Sequence, residues 1–420
     1  MLLIHRARNR RGGGRVGLAV AGGGPLGGTY ELGALRALEE AIEGLDLTRL
    51  DVYVGVSSGA FIAAGLANGI SIEQMIRIYI LGDPDEPRFR PETFLRPAFR
   101  EFLRRSSRVP RIFADWLREL LRHPGGDGFG EIFGSLGTLV PTGLFDNEAI
   151  GAFLSELFSR PGRTDDFRRL RRLLYIVAVE LDTGEIVRFG APGHDHVPIS
   201  RAVQASAALP GLYPPVEIDG RYFVDGALRR TLHASVAMDE GIDLLIGLNP
   251  LVPFDARLAR GSHRPAGTTL LEGGLPAVLS QTFRTLLQSR MQVGLAKYDQ
   301  AYPRTDRIIC EADPDDAELF FTNVFSYASR RRMCEHAYRR TLADLGQRRA
   351  ELAELLDRHG LRLRPEIIED RERSLFDGIR PRRPASIPAI ADLRNALDAL
   401  DRHLAARRAR RRESRSPATS

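Results

Sequence analysis

Lysine is almost missing from this chain: of 60 basic side chains, only Lys297 is not arginine. Cysteine is scarce too. Cys310 and Cys334 cannot build a disulfide framework and lack metal-ligand spacing, so they read as reduced, structural thiols. No apolar run approaches the roughly 18 residues of a membrane span. The opening Leu2-Leu3-Ile4 before Arg6 is too short for a signal-peptide core. A cytoplasmic, at most membrane-peripheral protein is expected, with no cofactor and no metal site.

What is present is the composition of a globular protein, 43% apolar and 27% charged over 420 residues, a length that suggests two to three domains. The net charge of +6 says less than its location. Arginines crowd the start (Arg6, Arg8, Arg10, Arg11) and the end (Arg407-Arg408-Ala409-Arg410-Arg411-Arg412). Such runs read as solvated tails with an electrostatic role at an anionic lipid surface. No nucleic-acid motif accompanies them, and a nucleic-acid partner is not expected.

Apolar periodicity predicts a strand over Val16–Ala21, a helix over Thr29–Glu43, a strand over Asp51–Val54 and a helix over Ala60–Leu66. Further strands are predicted at Leu174–Glu180, Ile186–Phe189, Tyr222–Val224 and Leu244–Leu248. The alternation argues for an α/β fold with a mainly parallel sheet and helices on both faces. Residues 16–250 form the expected catalytic domain, interrupted by an insert at 83–141. There Phe99 to Leu121, with Trp116, is cationic and amphipathic: either a lid that touches lipid or, the preferred reading, a helix packed on the sheet. A mainly helical part is expected over 251–369, with one long charged helix from Arg331 to Arg358. Residues 370–420 read as linker, last helix and basic tail.

Two glycine-rich turns carry the chemistry. Val20-Ala21 runs into Gly22-Gly-Gly-Pro-Leu-Gly27, which contains GxGxxG. A dinucleotide site would then want an acidic residue at the end of the next strand. That strand ends instead in Gly55-Val-Ser-Ser-Gly59, a GxSxG between strand and helix, the context of a nucleophile elbow. Ser57 is the expected nucleophile, with Gly55 and Gly59 leaving room for the sharp turn. The backbone N–H groups of Gly22, Gly23 and Gly24 would then face an oxyanion rather than a phosphate. His233, His263, His336 and His359 lie downstream as bases, but none sits in a recognisable loop after a strand with glycine beside it. Two Asp-Gly pairs offer better chemistry. Asp219-Gly220 has the look of a hairpin turn. Asp225-Gly226 closes a strand, where open α/β sheets line their crevices, and is preferred as the base.

These pieces, with Ala205-Ser-Ala-Ala-Leu-Pro210 leading into Pro214-Pro215-Val216 and Asp225-Gly226-Ala227, resemble the patatin-like phospholipase family in order and spacing across residues 16–250. The resemblance implies a three-layer α/β/α fold with a helical C-terminal extension. It also implies hydrolysis of lipid acyl esters without a metal, through a Ser57–Asp225 dyad that needs no histidine. By the same resemblance Gly22, Gly23, Gly24 and Gly27 form the oxyanion loop. One departure is Leu26, where many members carry Arg or Lys; it bears on phospholipid preference more than on hydrolysis. Two rival readings keep the residues but change what they do. One is a soluble esterase or storage-polyester depolymerase on the same dyad; the other is a nucleotide- or phosphate-binding module using Gly22–Gly27. A scaffold with a dead site is opposed by the intact Ser57 and Asp225.

Overall fold

The computed structural model describes residues 1–7, 14–87, 89, 92, 96, 142–258, 270–321 and 327–379. The Phe99–Leu121 stretch with Trp116, the last helix, the Arg407–Arg412 tail and His263 lie outside the described residues. In chain order the strands are β1 (Leu2–His5), β2 (Val16–Val20), β3 (Ile42–Glu43), β4 (Val52–Gly55), β5 (Leu173–Glu180), β6 (Ile186–Phe189), β7 (Val216–Ile218), β8 (Arg221–Asp225), β9 (Leu244–Asn249), β10 (Asp306–Glu311) and β11 (Arg362–Leu363). The main helices are α1 (Gly24–Ala41), α2 (Ser58–Ala67), α3 (Ile72–Ile76), α4 (Glu148–Phe158), α5 (Ile199–Ser206), α6 (Ala234–Met238), α7 (Gly274–Ala301), α8 (Ala317–Phe321), α9 (Tyr327–Gln347) and α10 (Arg349–Asp357).

Among the described residues one nine-stranded sheet organises the chain. Strands β10, β9, β2, β4 and β5 lie side by side and parallel, and β1 closes the β10 edge antiparallel. Successive side chains of a strand point to opposite faces, and the two faces have separate cores. Leu18 and Val20 of β2, Tyr53 of β4 and Ile246 of β9 join one core with α1, α2, α3, α4 and α9. Ala19, Val52, Val54 and Leu245 join the other with α6 and α7. The result is a three-layer α/β/α fold.

Besides strands that the periodicity did not predict, such as β1 and β7, three points differ from the pattern read in the sequence. Helix α1 begins at Gly24 rather than Thr29, because Pro25 suits a first helical turn and packing overrides the glycines' poor propensity. The expected long helix from Arg331 is two, α9 and α10, interrupted at Arg348. The mainly helical 251–369 part also supplies β10, all six residues of which are buried.

Long strand β5 decides where the site forms. On one edge Val52–Gly55 of β4 pair with Leu173–Ile176, and beyond them Phe223–Asp225 of β8 pair with Ala178–Glu180. Strand β6 pairs Ile176–Val179, overlapping both, and so occupies the opposite edge. Parallel β4 and antiparallel β8 therefore run toward each other along one edge and end on either side of Val177. The Asp219-Gly220 turn, both residues at positive φ (52° and 73°), delivers β8 in that register.

Candidate active site

Ser57 follows the end of β4 and immediately precedes α2, with φ 52° and ψ −122°. A non-glycine residue there carries strain of about 1–3 kcal/mol, which surrounding structure must hold. It is held from two sides. Ser57 N–H donates to Ser206 Oγ at 2.9 Å, and Ser206 donates in turn to the Val177 carbonyl at 2.6 Å. Gly59 N–H donates to the Ala21 carbonyl at 3.1 Å. A Cβ on Gly59 would lie 2.4 Å from two carbonyl oxygens, which is why the elbow needs glycine here.

Asp225 faces Ser57 across the Val177 gap. It is 2% exposed, and Ser57 is 8% exposed. Burial pushes the Asp225 carboxyl up to about 6, while the Ser57 hydroxyl donating to it and the Ala227 N–H (2.9 Å) pull it the other way. Asp225 N–H is anchored on the Ala208 carbonyl at 3.0 Å. The Ala205–Pro210 segment thus holds Ser57 and the Asp225 carboxylate together, Ser206 on one and Ala208 on the other. The sequence marks this segment as a motif but gives Ser206 no role, because that role exists only across the edge of β5.

The glycine loop closes over the pair. A Cβ on Gly22 would come within 2.8 Å of Ser57 Cβ, so only glycine lets the chain pass so near. The N–H groups of Gly22, Gly23 and Gly24 precede the first internal bond of α1. Gly27, expected to donate with them, spends its N–H on the Gly23 carbonyl at 3.0 Å. Its part is to fit beneath Pro250 and beside Ser58. Leu26 packs half-buried on the α1 core. Behind the loop Glu31 is wholly buried; burial raises its carboxyl well above the ordinary range, with the Ser58 hydroxyl partly opposing.

The described histidines have other partners. His233, 2% exposed and at φ 48°, bonds the Gly226 carbonyl at 3.1 Å, and burial lowers it to about 4. His336 pairs with Asp316 and His359 with Asp306. Asp219 is exposed in its hairpin turn beside His196. Among the described residues no group of three or more His, Cys, Asp or Glu could hold a metal ion, and no helix is long and apolar enough to cross a membrane.

A model of the family described as "Patatin-like phospholipase" matches residues 18–238, more than half of the chain and the whole of this constellation. The chain belongs to the patatin-like phospholipase family. Among solved structures it is similar to VipD from Legionella pneumophila, with 16% identity, 80% of this chain and 67% of that one covered, and a TM-score of 0.36. The type III effector ExoU of Pseudomonas aeruginosa is 17% identical, with 80% and 53% covered and a TM-score of 0.35. Human GIVD cytosolic phospholipase A2 is 15% identical, with 80% and 59% covered and a TM-score of 0.29. This chain therefore spans only part of the length of these structures, and the family model alone decides membership.

Proposed function

We propose that this patatin-like chain hydrolyses acyl esters of lipids with Ser57 as nucleophile and Asp225 as its base. The observation that carries the reading is the head-on meeting of β4 and β8 on one edge of β5, which sets a strained serine against a buried carboxylate. Among the described residues no cation pairs with Asp225 in that arrangement. Its proton affinity, with a pKa of about 6, suits a group that must take a proton and return it near neutrality.

Ser57 Oγ attacks the ester carbonyl as its proton passes to Asp225. The oxyanion that forms is received by the N–H groups of Gly22, Gly23 and Gly24, aided by the positive ends of α1 and α2. Asp225 returns the proton to the departing alkoxide, leaving an acyl-Ser57 ester. Water, deprotonated by the same Asp225, then releases the fatty acid and restores Ser57. Gly22 packed against Ser57 favours this use of the loop over a nucleotide cradle, since the space beside the glycine belongs to the nucleophile.

A fluorophosphonate probe and a panel of phospholipids, neutral lipids, p-nitrophenyl esters and polyester oligomers test the reading. Labelling and lipid hydrolysis are expected in the native protein and absent in Ser57→Ala. Turnover confined to soluble esters or polyester would move the substrate to the rival class. Labelling that persists in Ser57→Ala would remove the nucleophile assignment.

A further inference from the structure

We infer that the outer face of α7 is the surface on which this protein seats on a lipid aggregate. The inference rests on the lipid-hydrolase reading above and names the partner of that same site. Large apolar side chains that stand in water are few among the described residues, and half of them lie on α7 and its lead-in. They are Leu271, Leu275, Val278, Leu279, Leu286 and Val293, exposed from 39% to 81%. On α7 they fall at helical spacing, with Thr282, Thr285 and Ser289 between them. The opposite face packs through Leu287, Met291 and Tyr298. An apolar stripe of this kind on a folded protein marks a contact surface.

Its place in the fold names the occupant. The inner face of α7 holds two loops that adjoin the glycine turn and Asp225. Arg284 donates to the Pro250 and Val252 carbonyls at 3.3 and 3.1 Å, and Arg290 to the Leu228 carbonyl at 2.8 Å. Pro250 lies against Gly23 and Gly27, and Leu228 follows the Asp225 turn. Whatever covers the stripe therefore sits on the helix that carries the loops beside the glycine turn and Asp225. A lipid surface in that place is the store from which the proposed substrate comes. The border is also basic: Arg229, Arg230, Arg290 and Lys297 are exposed around it. That suits anionic headgroups around an apolar contact.

The test separates seating from chemistry by using full-length protein that carries Ser57→Ala. Its sedimentation with phosphatidylcholine–phosphatidylglycerol vesicles is compared with that of the same protein with Leu279→Glu and Leu286→Glu added. Both leucines are more than half exposed, so the fold should keep its melting temperature. Partitioning should fall at least about tenfold, as expected when apolar side chains leave the interface. Leu173→Glu, exposed at the far end of β5, should leave it unchanged. In protein with Ser57 intact, the leucine pair should lower turnover of vesicle lipid by a similar factor and spare a soluble short-chain ester. Three results would overturn the inference: no vesicle binding by the starting protein, equal binding by the double variant, or a dimer that the double variant dissolves without loss of vesicle binding. The last would assign the stripe to a second copy of this chain. Because binding is read without turnover, an absence of lipid hydrolysis would count against the proposed function alone.

Discussion

Two aspartates lie buried in the same sheet, and they are held in opposite ways. Asp306 opens β10 and is fully buried. Burial would raise its carboxyl, but His359 (2.9 Å), the Ala7 N–H (2.7 Å) and Arg358 (3.4 Å) outweigh it and hold the group below the usual range. Asp225 closes β8 with a hydroxyl and one N–H for company, and stands at about 6. Among the described residues Asp306 is given Arg358 and His359, while Asp225 has no ion-pair partner. A carboxylate proposed to exchange a proton with Ser57 is thus left unneutralised, at a cost in stability.

The comparison breaks most sharply at Ser57, the serine that Asp225 is proposed to serve. Ser57→Ala should abolish ester hydrolysis and fluorophosphonate labelling, while Ser58→Ala keeps much of both. Labelling lost only in Ser58→Ala would put the nucleophile one residue on. Asp225→Asn keeps size and removes the base, so turnover should fall by about 10²–10⁴-fold.

Stability should respond in reverse. Folded Asp225 holds its proton to about pH 6, whereas an unfolded aspartate loses it near 3.8, so this group subtracts stability as pH rises through that window. Asp225→Asn should therefore melt no lower than the native protein at pH 8, with a gain of at most about 3 kcal/mol that vanishes toward pH 4. Asp306→Asn should do the opposite, stranding His359 and Arg358 and costing roughly 3 kcal/mol near neutrality. Protein with Asp306→Asn that remains folded should still label. If both variants destabilise equally, the two aspartates do the same job and the contrast fails.

A pH profile sharpens the same point. The base works deprotonated, so kcat/KM should drop about tenfold for each unit below pH 6 and level off above it. His233, lowered to about 4, has the opposite linkage to Asp225: its unfolded form takes up a proton below 6.5, so its share of stability is lost as pH falls from 6.5 to 4. The smallest effects belong to the groups around the pair. Ser206→Ala leaves the Ser57 N–H and Val177 carbonyl unpaired, and turnover should fall about tenfold as the elbow loosens. Replacing His336 or His359 in well-folded protein should hardly alter turnover, since both pair with aspartates away from Ser57. A histidine variant as inactive as Ser57→Ala would mean a triad.

Much of this was legible in the sequence because it is local. A short apolar run that breaks into Gly55-Val-Ser-Ser-Gly59 specifies strand, sharp turn and helix within neighbouring residues, and with them the conformation of Ser57. Asp225 could be chosen because a strand ends on it, and Asp219-Gly220 could be discounted because its turn chemistry suffices. Strand β10 was less visible: Arg307-Ile-Ile-Cys310 is a brief apolar run inside charged sequence, and it becomes a strand only where β9 and β1 offer both edges.

The tertiary structure alone decided the remainder. That Ser57 and Asp225 meet depends on one edge of β5 being shared by two strands running head to head, which brings together strand ends more than a hundred residues apart. Ser206 gained its bridge, Gly27 lost its free N–H and α7 acquired a bare apolar face for the same reason. Each outcome depends on which neighbour arrives across space, and periodicity along the chain carries no record of that.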